Sequence, residues 1–144
     1  MGKEDEKGAA VVERPLFCAG DLKGIRLRRE WVEFADGKWV CCWEPTGAQM
    51  AGAARVSINS AAQWDQSKFE LELMVDCVRD GEGDNAQPVF NRARDWKELE
   101  TLPNAIQKRV ANLITKLGGA QTVDGEKALR DFFGKTPTEE SEGQ

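Results

Sequence analysis

Polar and apolar positions alternate most clearly between residues 30 and 43, and this pattern predicts a β-hairpin. Asp36-Gly37 at its centre is typical of a two-residue hairpin turn, because both central positions of such a turn need positive φ angles. A turn at that point pairs Val32 with Cys41. One face of the ribbon is then almost wholly apolar, and we expect it to face the core: Val32, Phe34, Trp39, Cys41 and Trp43.

The opposite face of the predicted ribbon is mixed and carries Trp31, Glu33, Ala35, Lys38, Val40 and Cys42. Upstream of it, Ile25 and Leu27 alternate with arginines, which predicts that the first strand begins near Gly24. Their phase disagrees with that of Val32, so we expect a bulge or break within residues 28–30. A basic cluster in this region is either a charged, solvated edge strand or a patch for an acidic partner: Lys23, Arg26, Arg28 and Arg29.

The rest of the chain is typical of helices. Apolar spacing and capping signals predict helices over residues 47–57, 61–79, 91–99, 103–117 and 124–133. Thr46 and Gln49 have the spacing of a capping box, and Pro103 suits the first position of the helix that it opens. Within residues 69–75 the apolar side chains also alternate with period two, which leaves a strand as an alternative there.

These elements predict an α+β fold, with an N-terminal antiparallel β-hairpin packed on a mostly helical domain of four to five helices. A chain of 144 residues is long enough for one domain with a substantial core. Its two ends carry too few large apolar side chains to offset the entropy lost on ordering. We therefore expect a disordered arm at residues 1–14, a single domain at 15–134 and a disordered acidic tail at 135–144.

Net charge limits the classes of partner. The chain has 20 Lys and Arg against 25 Asp and Glu, which gives a formal net charge of −5. An acidic chain is poorly suited to a polyanion such as nucleic acid, and no apolar run reaches the roughly 20 residues that a membrane span needs. The sequence begins with a polar, acidic segment rather than a signal peptide. We expect a soluble protein that binds neither nucleic acid nor membrane.

Few residues offer reactive chemistry. The chain contains no His, which is the commonest general base and a usual zinc ligand. Its four cysteines form no C-x-x-C pair and are typical of buried, reduced thiols. The acidic turn at residues 80–84 lacks the Gly and Glu that a calcium loop needs at its sixth and twelfth positions. We therefore predict no enzyme and no catalytic, cofactor-binding or metal-binding residue.

Three segments resemble the tail assembly chaperones of long-tailed bacteriophages, which are encoded just upstream of the tape-measure protein. Residues 30–47 resemble the hairpin of that family, which ends in a polar turn before a helix. Residues 74–84 resemble its helix running into an acidic Gly turn. Residues 88–119 resemble its ending, in which a Phe precedes a short helix, a long helix and a Gly. The likeness spans residues 25–119 in this order.

The resemblance implies a non-catalytic chaperone that binds the tape-measure protein, promotes assembly of tail-tube protein around it and can form a homo-oligomer. Such a protein works in the host cytoplasm and is absent from the mature virion. An apolar face with a charged rim could hold an amphipathic helix of the tape-measure protein. We place this contact on the mixed face of the hairpin, at Trp31, Val40, Cys42, Lys38 and Glu33. The alternative is that these residues pack inside the domain, under the segment that carries Leu16 and Phe17.

Other classes of function stay open at this point. The chain could be a structural component of the virion, such as a tail or head-completion protein, or a small host adaptor module. The composition of purified particles separates the first of these from a chaperone, because a chaperone would be missing. A thiol-dependent redox protein is a further alternative, which Cys→Ser variants at positions 41 and 42 would test.

Overall fold

The computed structural model describes residues 13–119 of the chain. A short 3₁₀ helix, Ala19–Gly24, precedes the regular elements: β1 Arg29–Ala35, β2 Lys38–Trp43, α1 Gly47–Val56, α2 Gln66–Cys77, β3 Val78–Arg79, α3 Arg92–Leu99 and α4 Asn104–Leu117. The predicted α+β class, with strands near the N-terminus followed by helices, is confirmed. The helix predicted over 124–133 and the acidic tail lie outside the described residues, as does the arm up to residue 12.

The hairpin forms at the predicted turn but in a different register. Asp36 and Gly37 have φ angles of 54° and 73°, as a two-residue turn requires. Val32 pairs with Val40, and the register shifts between Glu33 and Ala35, so that one extra residue bulges out of β1. The predicted pairing of Val32 with Cys41 is therefore wrong by one residue, because the irregularity lies beside the turn and not at residues 28–30.

This shift places Val40 and Cys42 in the core, whereas Trp39 on the opposite side of β2 is 60% exposed. Cys41 and Trp43 lie on the same side as Trp39 and are nevertheless buried, but outside the core cluster. The prediction that Trp39 faces the core is wrong, because a shift of one residue moves every side chain of a strand to the opposite face. Val32 and Phe34 do pack against the core, since the bulge restores their side of β1.

A third strand completes the sheet. In β3, Val78 pairs with Cys42 and Arg79 with Cys41, which gives the strand order β1-β2-β3. The helix predicted over residues 61–79 is therefore shorter at both ends. The structure starts it after Asp65, whose side chain accepts a hydrogen bond from the backbone N–H of Lys68 at 3.0 Å, and ends it where the chain extends to join β2.

The helices α1, α2 and α4 form the helical side of the domain. Every side chain from residue 69 to residue 74 of α2 is buried, so this helix lies at the centre of the domain. The capping box of Thr46 and Gln49 forms as predicted at the start of α1. The helix predicted over residues 103–117 forms as α4 and packs into the core through Val110, Ile114 and Leu117. Burial of each large apolar side chain contributes roughly 2 kcal/mol to folding.

Candidate functional site

The structure separates the five residues predicted to bind a partner. Trp31 and Glu33 lie on the face of the sheet that points away from the helices, whereas Val40 and Cys42 are buried in the core. Lys38 is exposed at the turn. The prediction of one shared face is wrong, because the bulge in β1 changes the register. Val40 and Cys42 pack inside the domain, as the alternative interpretation has it, but against the helices.

The outer face of the hairpin is partly covered by the acidic loop at residues 80–84. The indole N–H of Trp43 donates to the backbone carbonyl of Gly81 at 2.9 Å, and that of Trp31 donates to the carboxylate of Glu82. Trp31 nevertheless stays 41% exposed. The loop is therefore held on the sheet by hydrogen bonds and is not only a solvated turn.

The basic cluster is used within the domain. Arg26 forms an ion pair with Asp84 at 3.1 Å, and the guanidinium of Arg29 stacks over the ring of Trp43 at 3.7 Å. The guanidinium of Arg28 lies 3.6 Å from the carboxylate of Glu44 and donates to the backbone carbonyl of Leu117. These contacts favour a structural role for the three arginines over a patch for an acidic partner.

The thiols differ in accessibility. Cys41, Cys42 and Cys77 are buried, and Cys18 is exposed. Burial raises the pKa of Cys42 to about 12, with a further contribution from the neighbouring Cys41, and burial likewise raises the pKa of Cys77. Because the thiolate is the nucleophile, thiols with such high pKa values are poorly suited to redox or nucleophilic chemistry at neutral pH.

We expect thiol titration of the native protein at neutral pH to detect one rapidly reacting cysteine, Cys18. The other three should react only after denaturation, because burial blocks the reagent and keeps them protonated. Disulfide-exchange colorimetry checks this, with Cys18→Ser as the control that removes the fast phase. Rapid reaction of Cys41 or Cys42 in the native protein would contradict the burial described above.

The raised pKa of Cys42 also gives a direction for the pH dependence of stability. The unfolded thiol ionises near pH 9, whereas the folded thiol stays protonated to about pH 12. Between these pH values the folded state keeps the thiol proton, whereas the unfolded state loses it. The free energy of unfolding therefore falls as the pH rises from about 9 to about 12.

An open apolar groove of about 270 Å³ lies between the bulge of β1 and helix α3. Its floor is formed by five apolar side chains: Phe34, Val89, Phe90, Leu99 and Leu102. Its rim carries charges of both signs: Arg94, Asp95 and Glu98. The rings of Phe34 and Phe90 meet with their centroids 5.6 Å apart and their planes tilted by 51°, so the hairpin and the segment before α3 form one continuous surface.

Two hydrogen bonds to backbone carbonyls hold the two sides of this groove in place. Arg109 of α4 donates to the backbone carbonyl of Phe34 at 2.9 Å, which fixes the bulge. Val89 donates from its N–H to the carbonyl of Val78 at 3.1 Å, which holds the opposite wall beside β3. The groove is therefore built on the sheet and on α4, which makes it a preformed surface.

The rim is set by the capping of α3. The Asn91 side chain accepts from the N–H of Arg94 at 2.9 Å, and the N–H of Asn91 donates to the carboxylate of Asp95 at 2.7 Å. Arg94 and Asp95 also pair with each other at 2.9 Å. The hydrogen bond from the Arg94 guanidinium lowers the pKa of Asp95, so both groups stay charged at neutral pH.

The groove is open to solvent, and its volume of about 270 Å³ is close to the lower end of the 300–1,000 Å³ usual for small-molecule pockets. The sequence pattern does not indicate this groove, because it assigns Phe34 to the core and Phe90 to no helix or strand. Among residues 13–119 no cluster of acidic or cysteine side chains could hold a metal ion, and no helix is long and apolar enough to cross a bilayer.

Comparisons of the chain with protein-family models, with curated proteins and with solved structures find no match.

Proposed function

We propose that this protein is a tail assembly chaperone of a long-tailed bacteriophage and that its groove binds an amphipathic helix of the tape-measure protein. The observation that supports this proposal is a preformed groove with an apolar floor and a charged rim. An amphipathic helix presents apolar side chains one turn apart, flanked by polar ones, and such a helix lays its apolar side into a groove of this kind.

The rim charges suggest how the partner helix is oriented. Arg94 and Glu98 are four residues apart on α3, so they lie on the same side of that helix, beside the groove. A partner with an acidic side chain near Arg94 and a basic one near Glu98 matches this order. Complementary charges of this kind contribute mainly to specificity and to the rate of association.

The proposed role requires that the protein bind the tape-measure protein, and it requires no catalysed reaction. A long helical protein with an exposed apolar stripe aggregates unless that stripe is covered. The chaperone would cover it in the host cytoplasm until tail-tube protein assembles around it, and would then leave, so that the mature virion lacks it. Trp31, Glu33 and Lys38 do not line the groove. Substitutions at these residues therefore serve as controls for substitutions in the groove.

Co-expression with the tape-measure protein of the same genome tests the proposal. We expect the wild-type chain to keep the tape-measure protein in the soluble fraction and Leu102→Glu to reduce that fraction several-fold, because the substitution places a charge on the groove floor. Trp31→Ala is the control and should retain the activity. Circular dichroism of both variants verifies that they fold. Equal activity of wild type and Leu102→Glu would contradict the assignment of the groove.

A further inference from the structure

Helix α3 supplies one wall of the groove. Its residues Arg94, Asp95 and Glu98 form the charged rim, and Leu99 contributes to the floor. The hydrogen bonds that fix the bulge of β1 and the segment before α3 do not involve α3 itself. The position of this wall therefore depends on contacts that α3 makes with the rest of the domain.

A bidentate ion pair joins α3 to α2. The guanidinium of Arg92, in the first turn of α3, donates to both carboxylate oxygens of Glu72, with 2.5 Å between Nη1 and Oε2. In the described part of the chain, this pair makes all the hydrogen bonds and ion pairs that join α3 to another helix or strand. Two parallel hydrogen bonds fix the orientation of the two side chains as well as their distance.

Burial of the carboxylate makes this contact directional. The Glu72 side chain is 6% exposed, whereas that of Arg92 is half exposed. A buried carboxylate without its cation is an uncompensated charge, so Glu72 favours the position of α3 that brings Arg92 onto it. Asp76 lies one turn further along α2, but among residues 13–119 both hydrogen bonds of the Arg92 side chain go to Glu72.

Apolar contacts complete the inner side of α3. Leu99 is 3% exposed and belongs to the core, and Trp96 packs against the core while partly buried. The guanidinium of Arg92 also lies over the ring of Trp96, at 5.3 Å from its centroid. These three residues are spaced by four and three positions, so they share one side of α3, and the charged rim lies on another side. Contacts on the inner side therefore determine where the rim lies.

We propose that Arg92 is a positioning residue for the groove. By binding Glu72 it holds the first turn of α3 against α2 and so keeps the rim beside the apolar floor. Arg92 does not line the groove, so it acts on a bound helix only through α3. Displacement of α3 lowers the fraction of binding-competent molecules, and the apparent dissociation constant rises by the inverse of that fraction. The inference rests on the proposed function for its partner, but the position of α3 can be measured without one.

Hydrogen exchange of the full-length protein, followed by mass spectrometry, tests the position of α3. Glu72→Gln removes the charge with little change in volume and leaves no unpaired carboxylate behind. We expect the amides of residues 95–100 to exchange at least ~10-fold faster than in wild type, while the amides of α4 keep their rates, because α3 opens locally. Asp76→Asn is the matched control and should exchange like wild type. Unchanged exchange of α3 in Glu72→Gln, or an equal increase in α3 and α4, would overturn the proposal.

Arg92→Lys tests the same pair from its other member. Lysine keeps the positive charge but cannot form the two parallel hydrogen bonds of a guanidinium. The amides of residues 95–100 should therefore exchange faster than in wild type, again without a change in α4. Unchanged exchange in this variant would contradict the role of Arg92.

Calorimetric titration with segments of the tape-measure protein separates this inference from the proposed function. For a segment that binds wild type, Glu72→Gln should raise the dissociation constant at least ~3-fold and Asp76→Asn should leave it unchanged. Equal binding by wild type and Glu72→Gln, together with weaker binding by Leu102→Glu, would overturn the positioning role and leave the groove as the binding surface. If no segment binds wild type while α3 exchanges faster in Glu72→Gln, the proposed function fails, and the pair of Arg92 and Glu72 still positions α3.

Discussion

Replacing Cys42 with Asp is expected to lower the free energy of unfolding by about 4 kcal/mol or more, a large part of the 5–15 kcal/mol typical of a domain. Cys42 is fully buried in β2, pairs with Val78 of β3 and faces the helices. A carboxylate at this position loses its hydration among apolar side chains, so it either unfolds the domain or stays protonated at a high energetic cost.

Trp39→Asp is the matched control, since Trp39 lies three positions earlier in the same strand and is largely exposed. Its change in stability should stay within about 1 kcal/mol. Urea denaturation monitored by circular dichroism measures both variants. The alternation of the sequence alone predicts the reverse order, because it places Trp39 in the core and Cys42 on the outer face. A more damaging effect of Trp39→Asp would therefore contradict the observed register.

The second large effect is expected at a buried carboxylate between α2 and α4. Glu70 is 2% exposed, and its carboxylate accepts from Lys108 at 2.7 Å, Gln107 at 2.8 Å and Gln66 at 2.9 Å. Lys108→Ala leaves this charge buried with neutral donors only. We expect the free energy of unfolding to fall by about 2–3 kcal/mol, because breaking one side of a buried ion pair leaves an uncompensated charge.

The double variant Glu70→Leu with Lys108→Leu should recover much of this loss, since it removes the buried charge together with its partner. Lys97→Ala, on an exposed position of α3, is the control and should produce no measurable change. Thermal or urea denaturation of the three variants measures the differences. If Lys108→Ala behaves like Lys97→Ala, or the double variant is less stable than the single one, then the carboxylate does not depend on its cation.

Local signals predicted the parts of the fold that depend on neighbouring residues. Asp36-Gly37 can adopt the positive φ angles of a hairpin turn, and the Thr46 capping box begins α1. Likewise, Asn91 caps α3 through the N–H of Arg94, as its position in the sequence suggests. Each of these features involves residues within a few positions of one another, so the sequence alone contains the necessary information.

The register of the hairpin could not be predicted in the same way. Both faces of β2 carry apolar side chains, so the alternation fits either register, and the choice depends on one extra residue in β1. The strand β3 has only two residues and exists because β2 offers it a free edge. Its pairing also ends α2 earlier than the helical pattern indicates.

The groove, like the register of the hairpin, depends on tertiary contacts that the local sequence does not specify. Its floor joins Phe34 of the bulge, residues 89–90 and Leu99 and Leu102, which are far apart in the sequence. Phe34 reaches the groove only because of the bulge that the sequence pattern placed elsewhere. The sequence led to the hypothesis of an apolar surface with a charged rim. Only the folded structure shows where a surface of this kind lies.

The most direct measurement is a calorimetric titration of the full-length protein with synthetic helical segments that together cover the tape-measure protein of the same genome. We predict that at least one amphipathic segment binds saturably, that Leu102→Glu weakens its binding at least ~10-fold and that Trp31→Ala leaves it unchanged. If no segment binds, or if Leu102→Glu binds as tightly as wild type, the groove is not the surface that holds the tape-measure protein.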